Sequence, residues 1–226
     1  MKKSLLSACL LATTLFLGAC HKSDSSSVST TASVMYVNGS AGSTPVNVYL
    51  NGSTNATTTN LAFLSNTLYQ NVNAGSVNVN FITISSSLSL VNGTTSFTAD
   101  SSYSVFAAGL SNAPVFFYTT DDMSVPASGY AKIRLVNLST DVLSLNASVG
   151  TNTFGTGITS LSASSFATIA AGTYKIVVQD PGTALSDEII NSQVLNSGKI
   201  YTVIYTGTST VSTGPAIYTI TVLNNN

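Results

Sequence analysis

Tryptophan is absent from this 226-residue chain, and there is one histidine, His21, and one arginine, Arg134. A Ser-His-Asp triad needs an imidazole within the fold, and a metal site of nitrogen and sulfur ligands needs several such groups. One histidine near the N-terminus supplies neither. Charge is equally scarce: only 7% of residues are charged, seven Lys/Arg against eight Asp/Glu. No basic field is available to neutralise phosphates, so nucleic acid is excluded as a partner. Apolar runs are short. The longest, Leu5 to Phe16, falls below the roughly 20 residues that span a bilayer. What fills the chain instead is Ser, Thr and Asn among Val, Ile, Tyr and Phe, so solubility rests on uncharged hydrogen-bonding side chains.

Met1 to Cys20 has a basic start at Lys2 and Lys3, the apolar run, and then Leu17-Gly18-Ala19-Cys20. This resembles the lipobox of bacterial lipoproteins, which implies cleavage before Cys20, acylation of its sulfur, and a membrane contact through that anchor. Cys9 leaves with the signal, so the mature chain has no free thiol for disulfides, thiol catalysis or metal. A single acyl chain holds a protein only marginally, and the resemblance implies several. The expected location is the cell envelope of a Gram-negative bacterium, at the outer membrane, with the periplasmic and surface faces both open. His21 to Ser33 is too polar to fold and is expected to be a tether.

From Val34 onward, short runs of alternating apolar and polar residues are punctuated by Gly, Pro and Asn, with no 3.6-residue period. That pattern predicts strands at 34–37, 46–50, 67–72, 76–83, 88–91, 102–107 and 115–119, and again at 131–137, 143–149, 164–169, 174–179, 188–194, 200–205 and 217–223. The two sets align as a repeat: Asn38 with Asn137, Ala74-Gly75 with Ala171-Gly172, Tyr103 with Tyr201, Gly109 with Gly207 and Pro114 with Pro215, at offsets of 97 to 101. Each copy opens with what reads as a hairpin-like unit, Val34 to Gly52 and Gly129 to Gly150. In the second, Ala131, Ile133 and Leu135 alternate with Lys132 and Arg134. Asn51-Gly52 and Asn92-Gly93 are expected to supply tight turns, and Gly172 a positive φ at a strand entry. The fold class expected is all-β, two tandem immunoglobulin-like β-sandwiches. The divisions are residues 1–19 (signal), 20–33 (lipidated Cys20 and tether), 34–120 (first sandwich), 121–129 (linker) and 130–226 (second sandwich).

Val136-Asn137-Leu138-Ser139, Ala171-Gly172-Thr173-Tyr174 and Gly198-Lys199-Ile200-Tyr201-Thr202-Val203 resemble the bacterial envelope family of domain of unknown function 4397, over about Val34 to Leu223. The resemblance implies immunoglobulin-like sandwiches behind a lipoprotein signal, no assigned activity, and no functional residues to carry over. The family's Asn-x-Ser-Pro-Asp-Ala-Pro turn is altered here: Ser139-Thr140-Asp141-Val142 lacks both prolines, and Gly39 to Pro45 keeps one.

Carboxylates are the remaining source of chemistry. Asp121-Asp122 and Asp187-Glu188 are adjacent pairs, and neighbours on a strand point to opposite faces, so neither pair supplies the two facing acids of a glycosidase. Asp121-Asp122 reads as solvated linker charge, without the further oxygens that a hard cation wants. Asp180-Pro181-Gly182 reads as a turn. The Asn-x-Ser/Thr triplets at Asn38, Asn51, Asn92 and Asn137 read as turns too, rather than glycosylation sites. Phe116-Phe117-Tyr118 puts rings on both faces of one strand, so at least one ring is expected at the surface. Tyr69, Tyr103, Tyr130, Tyr174, Tyr201, Tyr205 and Tyr218 are expected mainly in cores with their hydroxyls at the rim. The expectation is a non-catalytic, lipid-anchored structural or adhesive module with no cofactor, metal site or catalytic residue. The alternative is a carbohydrate-binding accessory lipoprotein, marked by a row of exposed aromatics, and the unknown ligand is a protein or a glycan.

Overall fold

In a computed structural model the chain is described over residues 30–182, 187–208 and 217–226. Cys20, His21, the signal and most of the tether lie outside the described residues, as does Pro215. Every element among them is a strand. In chain order the first copy comprises β1 (Thr31–Asn38), β2 (Val46–Leu50), β3 (Thr58–Leu61), β4 (Ser65–Asn66), β5 (Gln70–Asn73), β6 (Gly75–Thr83), β7 (Ser89–Phe97), β8 (Ser102–Leu110) and β9 (Ala113–Asp121). The second comprises β10 (Tyr130–Asn137), β11 (Leu145–Val149), β12 (Asn152–Ile158), β13 (Ser162–Ala163), β14 (Ala167–Ala170), β15 (Gly172–Gln179), β16 (Glu188–Leu195), β17 (Ile200–Thr208) and β18 (Ile217–Asn224). All fourteen predicted strands overlap observed ones, and β3, β4, β12 and β13 were not anticipated. The predicted strand at 67–72 overlaps β5 alone, and the short β4 just ahead of it also pairs with β1. Thr31 to Ser33, read as tether, belong to β1.

The copies share one topology, strand for strand. Each has an inner sheet ordered β4-β1-β8-β9 or β13-β10-β17-β18, with β5 or β14 also on the first strand, and an outer sheet ordered β3-β2-β6-β7 or β12-β11-β15-β16. The first strand is central and runs parallel to the eighth; strands one and two lie in different sheets, whereas the constant immunoglobulin pattern keeps its first two strands together. The hairpin-like reading of Val34 to Gly52 and Gly129 to Gly150 is therefore corrected. Two alternating runs joined by a turn look alike whether the chain folds back beside itself or crosses to the facing sheet. Here it crosses, and a buried amide fixes the crossing. Asn38 donates its Nδ2 to the carbonyls of Thr44 and Leu61; Asn137 donates its own to those of Val142 and Ile158. Both are fully buried, so these repeated asparagines tie strand one to the loop and edge strand of the other sheet. Asn137→Ala is expected to cost about 1–3 kcal/mol by leaving those carbonyls unpaired, measured by urea unfolding; an unchanged midpoint would show that the amide is dispensable.

Two sandwich cores follow from the alternation. Ala32, Val34, Tyr36, Tyr103, Val105 and Ala107 of the first inner sheet meet Val46, Val48, Val77, Val79 and Phe81 of its outer sheet. In the second copy Ala131, Ile133, Leu135, Tyr201 and Val203 meet Leu145, Ala147, Val149, Ile176 and Val178. Tyr103 and Tyr201 fill equivalent places, each phenol oxygen accepting a backbone N–H from five residues upstream, Thr98 or Asn196.

Two glycine expectations change. Asn51 and Gly52 do have positive φ, 51° and 70°. Asn92-Gly93, however, is mid-strand in β7, paired with Asn80 and Val79. Gly93 is needed there because the Phe116 ring lies on it: an added Cβ would stand 2.2 Å from the ring. Gly93→Val is expected to destabilise by about 1–3 kcal/mol through overpacking, again read from urea unfolding, and a shift below a few tenths would mean that Phe116 swings free. Gly75 has φ 108°, but its counterpart Gly172 does not adopt positive φ. Substitution at Gly172 would press on Tyr174, with 3.1 Å left to its hydroxyl, rather than strain the backbone.

A third core lies between the copies. The inner sheets have apolar residues on their second faces as well, and Met35, Val37, Phe106 and Ala108 pack against Val136, Leu138, Ile204 and Leu223. Central strands buried on both faces lose the alternation of a half-exposed strand, which is why β8 reads Val105-Phe106-Ala107-Ala108 without a polar residue. The four sheets thus stack in four layers, the two inner sheets face to face. Gly39 and Leu138, which follow the paired asparagines, touch each other: a Cβ on Gly39 would lie 2.2 Å from Leu138 Cδ1. Across the same seam Thr206 Oγ1 donates to Gly39 O at 2.8 Å and Gly109 N donates to Leu138 O at 3.0 Å. Equivalent residues in mutual contact are the mark of an approximate two-fold relation.

Candidate functional site

The inner face of β10 carries the chain's only arginine. Lys132 and Arg134 occupy the strand positions that alternation assigns to solvent, yet both are buried, because the other copy covers them. Arg134 Nη1 pairs with Asp121 Oδ1 at 2.7 Å, with 2% and 0% of the two side chains exposed. The reading of Asp121 as solvated linker charge is overturned: it ends β9 and faces inward. Ser104 Oγ and Tyr69 Oη each donate to its Oδ2 at 2.5 Å, and Thr119 Oγ1 donates to Oδ1 at 2.9 Å. The same two hydroxyls accept from the guanidinium, Thr119 from Nη1 and Ser104 from Nη2, and Thr202 accepts from Nε, all at 3.1 Å. The Phe166 ring lies 4.5 Å from the guanidinium carbon. Burial, and next the adjacent Asp121 carboxylate, pushes the Tyr69 phenol well above its usual value. Four side chains satisfy one carboxylate, so this network locks the copies together and offers no free acid or base to a substrate.

Asp122 behaves differently. Its carboxylate takes Lys132 Nζ at 2.7 Å from an exposed position, and hydrogen bonds from Lys132 and then Ser124 lower its pKa to about 2. A depressed carboxylate contributes stability that is present above its unfolded value and lost as pH falls through about 2. At such exposure the contribution is small. Asp187 and Glu188 sit at the outer sheet of the second copy; Asp187 accepts from Gln179 Nε2, and burial raises the Glu188 pKa. Asp180 accepts the backbone N–H of Gly182, the turn that was expected. Among the described residues no three His, Cys, Asp or Glu side chains gather as a metal site would require.

The aromatics divide as their strands dictate. Tyr103, Tyr201 and Tyr205 are buried, Tyr69 belongs to the seam, Tyr174 and Tyr218 pack on the second core, and Tyr130 is exposed. In Phe116-Phe117-Tyr118, Phe116 caps Gly93, Phe117 stacks on Phe106 in the seam, and Tyr118 is exposed. The seven tyrosines therefore do not make one exposed row.

A trough of about 640 Å³ opens on the outer sheet of the first copy, lined by Asn47 and Tyr49 of β2 and Asn78, Asn80 and Ile82 of β6, together with Gly52, Ser53, Thr83, Ile84 and Ser87. No charged residue lines it. Only Gly52 and Ser53 among these were singled out by the sequence, as a turn, although the signal for the walls was there: in Val46-Asn-Val-Tyr-Leu and Val77-Asn-Val-Asn-Phe the polar face carries asparagine, a residue depleted in strands.

No curated protein matches the chain. Among solved structures, the carbohydrate-binding module CBMbc (family CBM26) of Amy13K from Eubacterium rectale, in complex with maltoheptaose, overlaps at 11% identity and a TM-score of 0.29, covering 87% of this chain and 97% of that one. A "putative cell adhesion protein" from Bacteroides uniformis overlaps at 11% identity and 0.27, covering 87% and 99%. Overlaps this loose carry no functional meaning. The family match is of another kind: it runs over residues 32–148, the whole first copy with its divergent turn together with β10 and most of β11, more than half of the chain. On that match, and on a sandwich built twice to one strand order, the chain belongs to the family described as "Domain of unknown function (DUF4397)".

Proposed function

We propose that this chain is a non-catalytic, lipid-anchored protein of a Gram-negative cell envelope, held at the outer membrane through Cys20, that serves as a structural or adhesive interaction module. The observation that carries the reading is the use made of its scarce charges. Arg134 and Asp121 are spent on each other inside the seam, so the copies form a firm body whose two outer sheets face away from each other, the first of them presenting mostly Ser, Thr and Asn. Such a surface binds by shape and hydrogen bonding rather than by charge. The domain division at residues 34–120 and 130–226, joined by 121–129, belongs to the same reading: one core per copy, and a docking face between them.

The anchor is tested first. Cys20→Ser is expected to move the protein from the membrane to the soluble fraction and to abolish labelling by a fatty-acid probe. Membrane association without label in the wild type would remove the lipoprotein reading. Adhesion follows: cells with the anchored protein are expected to attach to a host or neighbour surface better than cells carrying Cys20→Ser, with the added soluble chain competing. Equal attachment in all three cases would leave a module of another kind.

A further inference from the structure

The trough on the first outer sheet has only a smaller counterpart on the second, a hollow of about 250 Å³ lined by Asn146, Ser148, Thr153, Thr156 and Gln179, and that difference between two copies of one fold is informative. Strand register sets the correspondence: Tyr49 pairs with Asn80 and Asn47 with Ile82, where Ser148 pairs with Val177 and Asn146 with Gln179. Asn47 and Asn146 do the same work, each accepting a backbone N–H from the neighbouring edge strand, Asn60 or Gly157, at 3.0 Å. They belong to the fold. The other positions diverge: Tyr49, Asn78, Asn80 and Ile82 in the first copy stand against Ser148, Lys175, Val177 and Gln179 in the second. What the topology does not require, the first copy has gathered into one uncharged trough.

From this we infer that the trough around Tyr49 binds a neutral glycan chain, which gives the adhesive reading above its ligand class and rests on that reading. The chemistry of the walls selects it. A half-buried tyrosine ring offers a face to the C–H side of a sugar, as aromatic rings do to flat apolar surfaces. Beside it, Asn80 spends Oδ1 on Ser89 Oγ at 2.6 Å, leaving its amide N–H groups as donors, and Asn78 presents Oδ1 while its Nδ2 is turned to Thr94 Oγ1 at 3.2 Å. Asparagine both donates and accepts, which matches hydroxyl groups that do the same. Registered pairing continues the rank from Tyr49 through Asn80 to Asn92, so the polar groups run across three strands at the roughly 4.8 Å strand spacing and suit an extended chain rather than a single ring. With no cation or carboxylate in the lining, acidic sugars, phosphates and basic peptides gain nothing there.

The test uses the soluble chain from His21 onward, which keeps every described residue, against neutral hexaoses (α- and β-linked glucose, β-linked mannose and β-linked xylose) by titration calorimetry. At least one should bind, with an affinity unchanged between low salt and 0.5 M sodium chloride. Tyr49→Ala is expected to weaken it about tenfold, the loss of one stacked ring. Tyr49→Phe keeps most of the affinity, Asn80→Ala weakens binding severalfold, and Ser148→Ala at the equivalent place in the second copy leaves it unchanged. Unfolding midpoints of the variants separate lost binding from lost fold. No binding to any hexaose, binding indifferent to Tyr49→Ala, or binding screened by salt would overturn the assignment. Attachment assays keep the two readings apart: if Tyr49→Ala cells attach as well as wild type, or attachment is abolished by protease treatment of the target surface but not by competing glycan, the trough is not the site while the adhesive reading stands.

Discussion

Arg134→Met is expected to cost about 3–5 kcal/mol, the usual penalty for removing one partner of a buried pair, and to do so without touching either sandwich core. Methionine keeps much of the aliphatic volume, so the effect reports the charge. Asp121 would remain at 0% side-chain exposure with Ser104, Thr119 and Tyr69 still donating but no cation beside it. The double variant Arg134→Met with Asp121→Asn is expected to recover most of the loss, because a neutral amide costs far less to bury than an unpaired carboxylate. Urea unfolding of the four proteins completes the cycle. A loss below about 1 kcal/mol for the single variant would show that water reaches the seam and that the pair is worth no more than a surface one.

A chain cut between Ala127 and Ser128 is expected to remain a one-to-one pair of halves at micromolar concentration. The seam buries Met35, Phe106, Leu138 and Ile204 among others, each such side chain contributing on the order of 1.5–3 kcal/mol when fully covered. The pairing should also be selective. Although the faces are related by an approximate two-fold, their contents are not the same. Gly39 is the hollow that receives Leu138, and a pair of second copies would set Leu138 against Leu138 and Arg134 beside no carboxylate. Mixed halves should therefore form the one-to-one complex in preference to either self-pair, by sedimentation or native mass spectrometry. Complete dissociation of the cut chain at these concentrations would mean that the linker, not the seam, holds the copies together.

The fourteen strands, the repeat, the all-β class and the scarcity of charge could all be read from the sequence, because period-two alternation and turn residues are local signals that survive without knowledge of the partner strand. The paired Asn38 and Asn137, found as a register, proved to be the residues that carry each chain from one sheet to the other. What local pattern could not show was which strands meet. β1 pairs with β8, some seventy residues away, and not with β2, so an apparent hairpin became a sheet crossing. The same blindness hid the seam: a polar residue on an alternating strand reads as solvent-facing unless something covers it, and the docking of the two copies on each other covers Lys132, Arg134 and Asp121. Tyr49, Asn78 and Asn80 were ordinary members of polar strand faces until the outer sheet brought β2 and β6 side by side. Composition and periodicity thus determined what the chain is made into, while long-range pairing alone decided which of its few charges are buried and which uncharged face is left open.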